Sequence, residues 1–206
     1  RFDRVGRIAD GARRLPAVED FAAGGTVFVA GSTWPPDEEI LVRLINANPG
    51  MKFIVAPHEM DEKRIKEMAG AVRYTEYGEA DDGGEKQLLI IDTIGILSSV
   101  YGYGSYAYIG GGFGVGIHNT LEAAAFGIPV AFGPNYAKFR EARDLISLAA
   151  ARSISSYEEL AVWLASLQSD RQAYGRAAAE AGAYVRSHRG ATEIILRGLF
   201  EGQERE

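Results

Sequence analysis

Short apolar runs alternate along the chain with segments whose apolar residues recur every three or four positions. The runs Thr26–Ala30, Lys52–Ala56, Ala71–Tyr77, Gln87–Asp92, Tyr106–Gly110, Ile128–Gly133 and, with a weaker pattern, Ala151–Ser155 predict strands. Several are apolar throughout, as strands covered on both faces of a parallel sheet are. Between them the spacing predicts helices at Asp37–Ala47, after Pro35-Pro36, and at Asp61–Ala69, with Ile65 and Met68 on one face. Further helices are predicted at Ile94–Tyr101, Thr120–Phe126 and Ala137–Ala149. This βαβ alternation predicts an α/β fold, a Rossmann-like doubly wound and mostly parallel sheet.

The last third changes character. Tyr157–Gln168, Arg171–Ser187 and Thr192–Glu201 read as C-terminal helices without strands between them, and the Ala-rich stretch Arg171–Ala183 has strong helix propensity. Ser156 is a candidate N-cap with Glu159 as its capping-box partner, and Gly190 separates the last two helices. The cluster Asp81-Asp82-Gly83-Gly84 reads as a turn. Residues 1–23 form a leading segment with a short helix, and 24–206 are expected to form one domain.

Of the 206 residues, 47% are hydrophobic and 24% charged, the composition of an ordered globular chain. The absence of cysteine excludes disulfides, thiolate metal sites and a cysteine nucleophile. The net charge is −6, with no block of five or six like charges, which argues against broad binding to nucleic acid or to an anionic membrane. Apolar runs such as Gln87–Ile91 and Ile128–Phe132 fall far short of the roughly 20 residues that span a bilayer. No signal peptide is visible. The chain opens on Arg1-Phe2-Asp3 with no initiator methionine, so a soluble part of something longer is expected.

Candidate chemistry concentrates at Gly110–Glu122. The buried strand Tyr106–Gly110 runs into five glycines within seven residues, Gly110 to Gly116. A helix is expected to start near His118 or Asn119 and to end at Gly127. Glycine lets a backbone approach a ligand closely. A helix N-terminus adds unpaired N–H groups and partial positive charge. Together they predict a phosphate site at the carboxyl end of a parallel strand. The competing reading is a tight turn and close packing, which one or two glycines would suggest more readily than five.

The Walker pattern fails because Ile117 and His118 follow Gly116, and G-x-G-x-x-G fails because Val115 stands where its last glycine belongs. No acidic residue closes the next strand, as a dinucleotide site requires. His118 and Glu122 are four apart and share a helix face, with Asn119 beside them. Glutamate accepts hydrogen bonds from sugar hydroxyls, while asparagine and histidine donate to phosphate. Capping by Asn119 with a favourable Glu–dipole contact is the structural alternative.

The block Gly110–Glu141 resembles the donor-binding half of GT-B glycosyltransferases. More closely, the chain resembles the 3-deoxy-D-manno-octulosonic acid (Kdo) transferases of lipid A synthesis. Arg1–Val5 is similar to the segment entering that family's second domain, and Gly31-Ser32-Thr33-Trp34 with Glu38-Glu39 to its S-T-H…E-E element. Ala56-Pro57-His58 stands at P-R-H, and Asp92-Thr93-Ile94-Gly95 matches D-T-x-G-E-L apart from Ile96 in place of the glutamate. Gly111-Gly112-Phe113, His118-Asn119-Thr120-Leu121-Glu122, Gly133-Pro134-Asn135 and Phe139 follow G-G…H-N-x-L-E…G-P-x…F. Trp34 departs from the family's histidine and Pro57 from its arginine, so two donor-side polar groups are missing; Lys138, Arg140 and Arg143 are the candidates to compensate.

The resemblance implies a C-terminal domain that holds the nucleotide sugar CMP-Kdo. An N-terminal domain, expected to be absent from this chain, would hold the lipid A precursor and a carboxylate base. No catalytic residue is therefore expected here, and neither a metal nor any other cofactor. The setting would be lipopolysaccharide synthesis at the cytoplasmic side of the inner membrane, with any membrane anchor in the missing part. Donor and phosphate contacts would come from Gly111, Gly112, Phe113, Gly114, His118 and Asn119, and ribose hydroxyls would bind Glu122. Ser32, Thr33, His58, Asp92, Thr93 and Asn135 are further candidate contacts. Capping competes on equal terms at Ser32 and Thr33 and comes before donor contact at Asp92 and Thr93, and His58 reads equally as a lone surface histidine. Two alternatives stay open: another GT-B transferase or epimerase using UDP or GDP sugars, and a nucleotide-binding module without catalysis.

Overall fold

The computed structural model describes residues 2–61, 63–64, 70–78 and 86–190. Two helices lead the chain, α1 (Phe2–Asp10) and α2 (Pro16–Ala22). There follow β1 (Val27–Thr33), α3 (Pro35–Ala47), β2 (Lys52–Pro57), β3 (Ala71–Arg73) and β4 (Leu88–Ile90). The second half holds α4 (Leu97–Val100), β5 (Tyr106–Ile109), α5 (Leu121–Ala124), β6 (Val130–Phe132), α6 (Arg140–Ser147), β7 (Ala151–Ser153), α7 (Tyr157–Ser169) and α8 (Arg171–Ser187). The strands form one sheet in the order β3-β4-β2-β1-β5-β6-β7, and every pairing is parallel. The expected doubly wound α/β fold is what the chain adopts.

Both faces of the sheet are covered, and the period of the strands divides the core in two. Val27, Val29, Ala107 and Ile109 face one cluster, shared with Val5, Phe21, Leu121, Leu145 and Val185 of the helices. Phe28, Ala30, Tyr106 and Tyr108 face the other, against Leu41, Leu44, Leu160 and Leu164. The leading residues therefore contribute two helices to the core rather than one short one. At the C-terminal end, Ser156 Oγ accepts from Glu159 N at 3.3 Å, as the predicted cap requires, while the Glu159 carboxylate accepts from Ser155 N at 2.7 Å. Asp170 caps α8 through the N–H groups of Gln172 and Ala173, both at 2.9 Å.

Several predicted elements are shorter than their patterns: the Ile128–Gly133 strand spans Val130–Phe132 and the Ala137–Ala149 helix spans Arg140–Ser147, and three others change more. The Ala71–Tyr77 strand ends at Arg73 and becomes a 3₁₀ turn at Tyr74–Glu76. The Ile94–Tyr101 helix begins only at Leu97, leaving Ile94 fully exposed on a loop. The Thr120–Phe126 helix is one turn, Leu121–Ala124. Of the Asp61–Ala69 helix, residues 63 and 64 are helical and most of the remainder lies outside the described residues. The Asp81–Gly84 turn and the Thr192–Glu201 helix lie outside them entirely.

The connection from β1 leads to β2 on one side, while β5 pairs with the other side of β1. The strand order thus reverses between β1 and β5, and a crevice opens beyond their carboxyl ends, where open α/β sheets bind ligands. His58, Asp92, Gly110 and Gly133 follow strands at that one edge, and Ser32 lies at the end of β1 beside them.

Candidate functional site at the carboxyl edge of the sheet

Asp37 organises the site. It is fully buried in the first turn of α3, yet its carboxylate accepts three hydrogen bonds. Tyr108 Oη donates to Oδ1 at 2.6 Å, and the N–H groups of Gly111 and Trp34 donate to Oδ2 at 2.9 Å each. One side chain thereby joins the start of α3, the middle of β5 and the second glycine of the loop. Burial and the adjacent carboxylate hold the Tyr108 phenol far above its ordinary pKa, so it stays protonated and donating.

The loop needs its glycines for close approach. A Cβ on Gly110 would lie 2.2 Å from Ser32 O, and one on Gly112 would lie 2.5 Å from Gly133 Cα. Gly111 and Gly116 have φ of 90° and 134°, outside the range that side-chain-bearing residues adopt readily. The loop is tied to the segment after β6: Asn135 N donates to Gly112 O at 2.9 Å, Asn135 Nδ2 donates to Gly114 O, and Lys138 Nζ donates to Val115 O at 2.9 Å. Asn135 is thus a brace of the loop. Of the cations considered, Lys138 stands beside the glycines. Arg140 instead pairs with Asp144 at 3.5 Å, and Arg143 donates to Ala137 O.

The anion-binding capacity of the loop is narrower than the glycine count suggests. Gly111 N–H is taken by Asp37, and Gly114 N–H donates to Gly111 O at 3.0 Å. His118 N–H donates back to Gly110 O at 3.1 Å, which keeps His118 and Asn119 out of the helix. A four-residue helix also aligns too few peptides for a strong dipole. Among the described residues, the N–H groups of Gly112 and Phe113 have no partner and remain for a ligand.

Asn119 lies one residue before Thr120, the N-cap of α5, and its side chain bonds to the helix start. Its Oδ1 accepts from Leu121 N at 3.2 Å, and its Nδ2 donates to Glu122 Oε1 at 3.0 Å. Glu122 is half-buried, and that hydrogen bond leaves its second oxygen for another donor.

The sequence motifs resemble known enzymes, and wider comparison agrees. No protein-family model matches the chain. It is 31% identical over 150 residues to the 3-deoxy-D-manno-octulosonic acid transferase of Bordetella pertussis, a match covering 69% of this chain and 34% of that protein. The transferase of Aquifex aeolicus is 28% identical over 132 residues, covering 59% of this chain and 36% of that one. Among solved structures, the C-terminal CMP-Kdo binding domain of WaaA from Acinetobacter baumannii superposes with a TM-score of 0.65 at 21% identity, covering 88% of this chain and 97% of that domain. The chain is a relative of the Kdo transferases. It spans about a third of the length of the curated relatives it matches. Its fold is that of a GT-B glycosyltransferase domain.

The Kdo-transferase motif positions converge on the crevice, but several do other work than expected. Thr33 does not cap α3: it is the buried last residue of β1, and its Oγ1 donates to Glu38 Oε1 at 3.0 Å. Burial raises the Glu38 pKa, against the lowering effects of the Thr33 hydrogen bond and the Arg64 guanidinium 3.5 Å away. Ser32 sits in a β-bulge with φ of 55°, and its half-buried hydroxyl has no partner among the described residues. Asp92 does not cap a helix: its carboxylate accepts from Thr75 N at 3.1 Å and from Thr75 Oγ1. Thr93 is half-buried in the same loop.

Trp34, the departure from the family pattern, stacks on His58 with ring centres 4.4 Å apart and donates its indole N–H to His118 Nε2 at 3.2 Å. The His58 and His118 rings lie 4.8 Å apart. Burial lowers the His118 pKa below its ordinary value; His58 adds to the shift and Asp37 opposes it. Sequence reasoning missed Asp37 as a site residue. Its signal was the capping-box spacing from Trp34, which reads as local helix capping alone. Among the described residues, no cluster of three or more His, Asp or Glu is arranged to hold a metal ion, and no helix is long and apolar enough to cross a membrane.

Proposed function

We propose that the chain is the donor-binding domain of a glycosyltransferase that moves Kdo from CMP-Kdo to a lipid A precursor. The observation that carries this reading is the pairing, at the sheet's switch point, of two N–H groups (Gly112 and Phe113) without a partner among the described residues and a restrained carboxylate at Glu122. In this reading the CMP phosphate takes the two N–H groups and the Lys138 ammonium, and Glu122 accepts from ribose hydroxyls. His118 and Ser32 face the donor from the β1 side. Preorganised donors stabilise the charge that builds on the departing phosphate. The lipid acceptor and a carboxylate base belong to a second domain outside these 206 residues, as does any association with the inner membrane. The likeness to Kdo transferases and to the CMP-Kdo binding domain of WaaA supports the choice of CMP over other nucleotides.

Calorimetric titration of the chain with CMP, UMP and GDP tests the proposal. CMP is expected to bind most tightly, and Glu122→Ala to weaken it at least tenfold, about the loss of one hydrogen bond to a charged group. Tighter binding of UMP or GDP, or CMP affinity indifferent to Glu122, would overturn it.

A further inference from the structure

Among the described residues, the one ring nitrogen of His118 with a partner is Nε2, and that partner can only donate. An indole N–H has no acceptor capacity. With the hydrogen bond at 3.2 Å, Nε2 must carry its lone pair, and in the neutral ring the proton then sits on Nδ1. Trp34 itself is held from two sides. Its backbone N–H is fixed by Asp37 at 2.9 Å, and its ring lies against His58 with planes 22° apart. The ring atom next to Nε2 is constrained as well, because a Cβ on Gly111 would come within 3.1 Å of Cδ2. The imidazole is therefore packed along its Cδ2–Nε2 edge. Nδ1 has no partner among the described residues, on a half-buried ring at the mouth of the crevice.

We propose that Trp34 is a positioning residue that fixes His118 as the Nδ1–H tautomer, so that the ring offers a single N–H donor to an oxygen of the bound nucleotide sugar. The nucleotide half of this statement rests on the proposed function; the tautomer half does not. The arrangement turns a departure from the family pattern into a device. Where a second histidine would leave the tautomer of His118 open, an indole leaves one choice. It also disfavours the imidazolium, since a protonated Nε2 would point a second proton at the indole N–H. The site then meets its ligand with a directed neutral donor at the crevice mouth and leaves the positive charge to Lys138 beside the loop.

The test is two-bond ¹H–¹⁵N correlation spectroscopy of the histidine rings in the ligand-free chain at pH 7, assigned with His58→Gln and His118→Asn. His118 is expected to show a protonated Nδ1 and a bare Nε2. Trp34→Phe, which keeps the stacked ring and removes the N–H, should produce a mixture in which the Nε2–H form predominates. A wild-type His118 with the proton on Nε2, or a tautomer unchanged in Trp34→Phe, would overturn the proposal. CMP titration separates positioning from bulk. Trp34→Phe should weaken CMP about three- to tenfold in the wild-type background, and less than about twofold in a His118→Ala background, because coupled residues are non-additive. Equal losses in both backgrounds would also overturn it. If none of CMP, UMP and GDP binds the wild-type chain, the donor-domain reading fails, and the spectra still decide what Trp34 does to the ring.

Discussion

Replacing Asp37 with alanine should come close to unfolding the domain. The change leaves three donors without their acceptor: Tyr108 Oη, Gly111 N–H and Trp34 N–H. Tyr108 is fully buried and Gly111 is buried, so neither finds bulk water in exchange. A buried donor stripped of its partner costs about 1–3 kcal/mol, and the lost contact at the start of α3 about 1 kcal/mol more. Relaxation and water entry reduce the sum, which leaves about 3–5 kcal/mol. Total stability is about 5–15 kcal/mol for a typical domain, so the variant should sit near the threshold of folding. Asp37→Asn should lose only about 1–2 kcal/mol. Its amide oxygen can take the two backbone N–H groups while its NH₂ donates to the Tyr108 oxygen. Tyr108→Phe in the Asp37→Ala background should recover about 1 kcal/mol, since the orphaned phenol is gone. Urea denaturation followed by tryptophan fluorescence and circular dichroism measures the wild type, these three variants and Tyr108→Phe alone. A loss below about 1 kcal/mol in Asp37→Ala would refute the account. So would a Tyr108→Phe effect of the same sign and size with and without Asp37.

Other expectations come from the same geometry. Gly112→Ala places a Cβ 2.5 Å from the Gly133 backbone, which cannot rotate away; a destabilisation of about 3 kcal/mol, the upper end for overpacking, should appear as a lower urea midpoint. Gly114→Ala meets nothing closer than 3.7 Å and should cost under about 1 kcal/mol in the same assay. The pH dependence of stability should show two slopes of opposite sign. The His118 pKa is depressed in the folded state, chiefly by burial, so the unfolded chain binds the proton better and stability falls as pH drops from 6.5 toward the depressed folded value. The Glu38 pKa is raised, again chiefly by burial, so the folded chain holds that proton better and stability falls as pH rises from 4.5 through the raised folded value. His118→Asn should remove the first slope and Glu38→Gln the second, read as urea midpoints across pH 4–7.

The sheet was legible because its determinants are local. Runs such as Phe28–Ala30 and Leu88–Ile90 are apolar on both faces, and only a doubly covered strand tolerates that. The long C-terminal helices were legible for the same reason, with Ser156 marking the start of α7 in the sequence itself. The short elements failed where a distant partner outbids local propensity. Asp92 has the residue type and position of an N-cap, but Thr75, 17 residues earlier, supplies two donors and draws the carboxylate away from the segment that follows. The helix then starts three residues after Ile94, with no side-chain cap. Likewise His118 reads as the first residue of a helix until its N–H is seen turning back to Gly110 O across eight residues of loop.

The site divides along the same line. His118, Asn119 and Glu122 stand out because one loop and the helical turn after it carry them within five residues, and short-range geometry brings Asn119 onto Glu122. Asp37 does not stand out, because an acid in the first turn of a helix has a sufficient local explanation in capping and the dipole. Its larger role exists only once β5 lies beside β1 and brings Tyr108 and Gly111 to it from more than 70 residues away. The same holds for Trp34. In sequence it reads as the loss of a histidine. In the fold its indole N–H meets His118, 84 residues on, and the substitution becomes a change in which atom carries a proton. A residue that breaks a motif is thus uninformative until its partner across the fold is known, and the chemistry it changes belongs to that partner.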